Sequence, residues 1–339
     1  MQINREQLLN QLESVLPGLS PREIIEQSSC VVFKDGKIIT YNDEVSCSQK
    51  TELDITGAVQ AMPLVNILRR LKEDELEIES DGIELLIKGK KRKTGIRMEK
   101  EILLPIDSIE VPDKWNSLPD DFIDAVSIIQ ECAGKDETQF VTTCIHIHPD
   151  FIESSDNEQI ARYKIKTKIK ESFLVRKEAL KYIVSLNMTK ISETENWVHF
   201  KNSEGLVLSC RRYLEEYPDW SKVLKVNGKI ITLPKGLKDA AERCEVFSAE
   251  MPEDNQVTIF LKPGKLKITG KGVSGWHTEF KNLSYKEQAM SFTISPKLLA
   301  KIVDKHNECE ITQEKLKVDG GKFVYVTALG LIDEKEGKE

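Results

Sequence analysis

The chain writes the same helix twice. LPDDFIDAVSIIQECAG, Leu118 to Gly134, and LPKGLKDAAERCEVFSA, Leu233 to Ala249, both open with Leu-Pro and both carry an Asp-Ala pair six residues later. Each reads as an amphipathic helix at the same point of a longer pattern. A repeat of this length sets the architecture before any other feature does, because every copy has to be a supersecondary unit of the same kind.

The pattern is helix, strands, helix, strands. In the first copy Leu8, Leu9, Leu12, Val15 and Leu16 stand at helical spacing ahead of VVFKDGKIITYND; a second helix follows at Met62–Leu71, then strands around LEIESDGIELLIKG. The second copy predicts a helix over 120–133, strands through CIHIHPDFIESSD, a helix near Arg176–Asn187 and strands through WVHFKNSEGLVLSCRR. The third predicts a helix over 235–248, strands VTIFLKPGKLKITG, a helix over Ser295–His306 and strands to VYVTAL. Turns are expected at Asp35-Gly36, Asp81-Gly82, His148-Pro149 and Pro263-Gly264. The copies are offset by roughly 113–123 residues, enough for one α+β domain each. The boundaries expected are 1–114, 115–228 and 229–339, the last with the charged tail DEKEGKE.

A 339-residue chain exceeds what one core supports, which agrees with several domains. No run of 18 apolar residues occurs, and MQINREQLLNQLESV is too polar for a signal peptide, so a cytoplasmic protein is expected. The seven cysteines are scattered singly, without C-x-x-C, and read as packing thiols. There is no GxxxxGK[ST] and no HExxH. His146 and His148 share one strand face but lack a third ligand, so neither metal nor cofactor is expected. Nothing reads as an active site; the expectation is not an enzyme.

A net charge of −7 argues against nucleic-acid binding over the whole surface. Cations nevertheless gather on selected helix faces. Lys297, Lys301 and Lys305 fall at i, i+4, i+8 opposite an apolar face of Leu298, Leu299, Ile302 and Val303. Lys177 and Lys181 repeat this in the middle copy, Arg69, Arg70 and Lys72 in the first, and Lys235, Lys238 and Arg243 continue it in the third. Such stripes suit phosphate contact without sequence reading.

Three α+β repeats in this order resemble the bacterial-type DNA polymerase III β sliding clamp, over essentially the full chain. YPDWSKVL, Tyr217 to Leu224, resembles the family's aromatic-Pro-Asp/Asn-aromatic segment; SDNEQIA, Ser155 to Ala161, stands where the family has Thr-Asp-Gly-His-Arg-Leu-Ala; VYVTALGL resembles its terminal strand. The resemblance implies three clamp domains, each with two helices packed on antiparallel sheets, forming half of a six-domain ring. It implies a processivity factor that encircles duplex DNA without sequence specificity as a head-to-tail homodimer, with a replicative polymerase and a clamp loader as partners. The alternative is a clamp-like protein-binding scaffold that encircles no DNA. A two-domain trimeric clamp is disfavoured by the three copies.

The DNA-facing residues expected are Arg22, Arg69, Arg70, Lys72, Lys177, Lys181, Lys235, Lys238, Lys297, Lys301 and Lys305; the resemblance implies two further sites. A partner-peptide pocket falls on Ser155, Asn157, Glu158, Gln159, Ile160, Pro218, Lys222, Val223, Thr293, Pro296 and the strand Tyr325, Val326, Thr327, Ala328 and Leu329, and the dimer contact on Val246 and Phe247. Asn157, Glu158 and Gln159 replace Gly, His and Arg, and Lys222 replaces a common Arg. Asp120, Asp121 and Asp124 make one helix acidic, and a tail runs on from Ile332. These departures mark a divergent clamp, as one encoded by a phage would be.

Overall fold

The computed structural model describes residues 1–110, 112–251 and 255–331; the tail from Ile332 lies outside them. Three times the chain runs strand, helix, four strands, helix, three strands. The first pass is β1 (Gln2–Asn4), α1 (Arg5–Val15), β2 (Cys30–Lys34), β3 (Lys37–Tyr41), β4 (Val45–Lys50), β5 (Gly57–Gln60), α2 (Ala61–Arg70), β6 (Glu75–Ser80), β7 (Glu84–Gly89) and β8 (Arg92–Glu99). The second is β9 (Asn116–Ser117), α3 (Phe122–Ile129), β10 (Cys144–His148), β11 (Phe151–Ser155), β12 (Gln159–Lys164), β13 (Phe173–Arg176), α4 (Lys177–Ser185), β14 (Lys190–Glu193), β15 (Trp197–Lys201) and β16 (Val207–Arg211). The third is β17 (Lys229–Thr232), α5 (Leu237–Ser248), β18 (Val257–Lys262), β19 (Lys265–Lys271), β20 (Trp276–Asn282), β21 (Met290–Ile294), α6 (Pro296–Lys305), β22 (Glu308–Ile311), β23 (Lys315–Asp319) and β24 (Phe323–Ala328). A two-residue strand, β25 (Gly330–Leu331), follows and pairs with β21.

Strand order repeats as faithfully as element order. The four-strand sets β5-β2-β3-β4, β13-β10-β11-β12 and β21-β18-β19-β20 have one topology, and so do β1-β6-β7-β8, β9-β14-β15-β16 and β17-β22-β23-β24. Sheets also run on from copy to copy: β4 pairs with β16, and β12 with β24, both antiparallel. Packing therefore gathers the chain into two compact units. One comprises Met1–Asp120, Lys168–Lys170 and Glu178–Tyr213; the other comprises Asp121–Thr167, Glu171–Lys177 and the chain from Leu214.

In the first unit a twelve-stranded sheet is buried on both faces of β2, where Val31, Val32 and Phe33 are all inaccessible. Leu8, Leu12 and Val15 of α1 and Leu64, Val65 and Leu68 of α2 are buried, at the helical spacing read from the sequence. A second cluster joins Val32 and Tyr41 to Trp197, the last two rings 6.2 Å apart. Asp35 and Gly36 form a two-residue turn with φ of 51° and 65°, and Lys34 faces Lys37 across it.

The second unit holds an eight-stranded sheet and a five-stranded one. Helix α5 lies directly on β19: a Cβ on Gly270 would stand 2.2 Å from the Cys244 carbonyl oxygen, so only glycine lets helix and strand approach so closely. Helix α3 is shorter than the sequence reading. It ends at Ile129 and tightens into a 3₁₀ turn over Gln130–Cys132. All seven cysteines are free and buried.

Candidate nucleic-acid and partner interfaces

Arg22, Arg70, Lys72, Lys235 and Lys305 are exposed. The other helix cations have partners. Arg69 Nε lies 2.8 Å from Glu13, Lys238 Nζ 2.8 Å from Asp304 and Lys297 Nζ 3.7 Å from Glu245. Lys181 bonds Glu178, and Lys177 donates to the Ala133 carbonyl at 3.0 Å. Arg243 pairs with Glu279 and, helped by His277 and Lys281, holds that carboxyl well below the usual range. Between the start of α5 and the end of α6 a cleft of about 450 Å³ collects Lys235, Lys238, Lys305 and His306 around the single carboxylate Asp304.

Lys301 departs from the solvent-facing row that the sequence predicts. It is half-buried, donates to the Ser127 carbonyl at 2.7 Å, and burial lowers its ammonium below the usual lysine range. The reason is a tertiary contact: the Ser127 carbonyl of α3 stands within hydrogen-bond reach of α6 and draws the Lys301 ammonium out of solvent, although the residues before and after it in the row are exposed.

Strands β12 and β24 place Ile160 opposite Val326, and Val226 closes on the pair to make a small buried apolar cluster. Trp220, Val223, Leu224 and Val324 pack over it, partly exposed. Of the predicted pocket residues this cluster gathers Ile160, Val223 and Val326. Beside them Pro218, Lys222 and Ala328 are exposed and Leu329 is half-exposed. The sequence reading missed Trp220, Leu224, Val226 and Val324; the aromatic of YPDWSKVL was the available signal for the first.

The SDNEQIA turn supports this cluster from within. Asn157 sits at φ 78°, and the Glu158 carbonyl accepts from the Ala328 amide at 2.8 Å, leaving the Glu158 side chain exposed. Ser155, Gln159, Tyr325 and Thr327 are buried. Gln159 accepts from the Tyr325 hydroxyl at 3.0 Å and donates to Asp156 at 2.8 Å, so it braces β24. Burial pushes the Tyr325 phenol well above its ordinary value. Thr293, exposed on β21, and Pro296, buried at the start of α6, do not join the apolar cluster. Their neighbours Ser295 and Lys297 instead border a polar cavity of about 360 Å³ with Asp156 and Gln159.

The two strand histidines belong to a separate network. His146 Nδ1 lies 2.8 Å from the buried Glu153 carboxylate, which also accepts from Arg162 at 2.8 Å; Arg162 in turn reaches the Ser221 hydroxyl at 3.4 Å. His148 stacks on Phe151 with ring centroids 4.2 Å apart. Among the described residues no three His, Cys, Asp or Glu side chains meet as a metal site.

Among the described residues two strand edges lack the neighbour that the repeat would give them: β20 pairs only with β19, and β8 pairs with β7 along 92–97, meeting β5 only at Met98 and Glu99. At the end of α5, next to β20, Val246 is 67% exposed and Phe247 half-buried.

A helix-and-sheet unit repeated three times, with sheets continuous between copies, is the DNA-clamp architecture. Its three-copy form here is the fold of DNA polymerase III β subunits, as comparison with solved structures shows. The chain is similar to the DNA polymerase III β chain of Streptococcus pneumoniae, with a TM-score of 0.75 and 15% identity, covering 98% of this chain and 99% of that one. It is similar over the same shares to a putative DNA polymerase III β subunit from Eubacterium rectale (0.74, 16%) and to a DNA polymerase sliding clamp from Bacillus subtilis (0.73, 18%). No family model and no curated protein matches the sequence. No helix among the described residues is long and apolar enough to cross a membrane.

Proposed function

We propose that this chain is a non-enzymatic DNA sliding clamp: a head-to-tail homodimer that closes around duplex DNA, is placed there by a clamp loader and tethers a replicative polymerase. The observation that carries the reading is the pattern of strand junctions. The third strand of the first set in copies one and two, β4 and β12, joins the last strand of the next copy, β16 and β24. The same rule applied to the third copy pairs β20 with the β8 of a second chain. Two such junctions close a ring of six like units. On this reading the clamp domains are 1–114, 115–228 and 229–339, and Val246 and Phe247 cover the junction.

The exposed cations Arg22, Arg70, Lys72, Lys235 and Lys305 would meet the phosphates, with Arg69, Lys177, Lys181, Lys238, Lys297 and Lys301 exchanging or supplementing present partners. The cluster of Ile160, Val226 and Val326 under Trp220 would take the apolar anchors of an extended partner peptide, flanked by Glu158 and Lys222. That several helix cations already have carboxylate partners favours the second reading, a scaffold that encircles no DNA. Retention on closed circular DNA, with release after linearisation, separates the two. A clamp stays on the circle and leaves the line; a scaffold treats both alike.

A further inference from the structure

The five-stranded sheet of the third copy has two unlike faces. Leu266, Ile268 and Gly270 of β19 turn to the core, while Lys265, Lys267, Thr269 and Lys271 stand on the other side. The register builds this second face in rows about 7 Å apart. One row is Phe260, Lys267 and Phe280; the next is Thr258, Thr269 and Thr278; the next carries Lys271 opposite Trp276. Lys262 and Lys265 stand at the other end. Trp276 is 67% and Phe280 58% exposed.

No carboxylate of β18, β19 or β20 shares this face. Glu279 points the opposite way, to Arg243. A chain of net charge −7 thus carries four lysines and three aromatic rings together on one flat sheet. Lysines alone would suit any polyanion. Rings interleaved with them suit one whose flat groups are free to stack, and the paired bases of a closed duplex are not.

We propose that this face is a docking platform for single-stranded DNA, with bases stacked on Phe260, Phe280 and Trp276 and phosphates held by the flanking lysines. The choice of DNA over RNA rests on the clamp reading; the stacking platform does not. Junction formation uses the main-chain edge of β20 and leaves this face open.

Fluorescence anisotropy of the full chain with an oligo-dT strand of about 15 residues, at about 50 mM salt, tests the proposal. Linear strands of that length need no closed ring, so loss of encirclement alone would leave their binding intact. The expected result is affinity at least about tenfold above that for a duplex of equal length, with quenched tryptophan fluorescence. Phe260→Ser with Lys267→Glu, both on interior strands, should weaken binding about tenfold or more at unchanged mass by light scattering. Should that variant melt early, Lys265→Glu with Lys271→Glu, both at exposed positions, makes the same test. Equal affinity for duplex, insensitivity to either pair of substitutions, equal displacement by polyglutamate, or tighter binding of oligo-U would each overturn the proposal.

Discussion

Strands β12 and β20 hold the same place in successive copies and meet opposite fates. Strand β12 shares a five-residue register with β24, and its Gln159, Ile160 and Ala161 are buried. Among the described residues strand β20 has one neighbour, and it leaves Trp276 and Phe280 in solvent. The same topology is thus satisfied within the chain at one place and left open at the other. Satisfied, it is part of a core; open, it is an invitation to a second copy.

Substitution at the closed junction should have the largest effect. Tyr325→Ala removes a fully buried ring and takes the donor from the Gln159 amide oxygen, and should cost about 3–5 kcal/mol of stability, read by denaturant unfolding. The open junction should respond differently. Val246→Asp with Phe247→Asp should leave the unfolding midpoint nearly unchanged, while light scattering falls from dimer to monomer mass. A variant that unfolds as Tyr325→Ala does would make the end of α5 an ordinary core.

A third measurement probes the sheet that contains the β4–β16 junction. His199 is inaccessible, held 2.8 Å from the Ser209 hydroxyl and 3.0 Å from that of Thr194; burial, with Arg212 nearby, pushes its imidazole down to about 4 from 6.5. The unfolded chain then takes up a proton that the folded chain refuses. Stability is full above pH 6.5 and falls as pH drops toward 4, by about 3 kcal/mol at most. His199→Gln should flatten that window in pH-dependent unfolding. An unchanged slope would assign the acid sensitivity to carboxylates.

Smaller effects concern the DNA and peptide surfaces. Lys297→Glu, Lys301→Glu and Lys305→Glu together should lower the slope of log affinity for duplex against log salt, with Lys301, tied to Ser127, contributing least. An identical slope would place the row away from DNA. Peptides with acidic flanks should bind the Ile160–Val326 cluster more weakly than basic-flanked ones, because Glu158 is exposed beside it. Equal enthalpic titrations would show that its carboxylate does not face the peptide.

The sequence made the repeat, its helices and the tight turns legible because each rests on local physics: a 3.6-residue apolar period, or glycine where φ must be positive. Partners distant in sequence were not legible. Nothing near Lys301 announces the Ser127 carbonyl, and nothing near Gln159 announces Tyr325, because contacts across more than 160 residues, one between helices and one between paired strands, create the two environments. The edge strands were missed for a related reason. Arg92–Glu99 and Trp276–Asn282 alternate weakly, since neither buries a full face. The pocket was half legible: Ile160, Val223 and Val326 lie in segments with a recognisable pattern, whereas Val226 and Val324 acquire meaning only once β12 meets β24.

Closure by β20 on the β8 of a second chain predicts a specific complementation. Ile96, half-buried on the free stretch of β8, can be changed to Asp to spoil one side of the junction, and the Val246→Asp, Phe247→Asp pair spoils the other. Light scattering should show each variant alone as a monomer, because both junctions of its dimer contain a damaged side. An equimolar mixture should recover a dimer through the one junction that is intact on both sides. If either variant dimerises alone, or if the mixture stays monomeric, head-to-tail closure is contradicted.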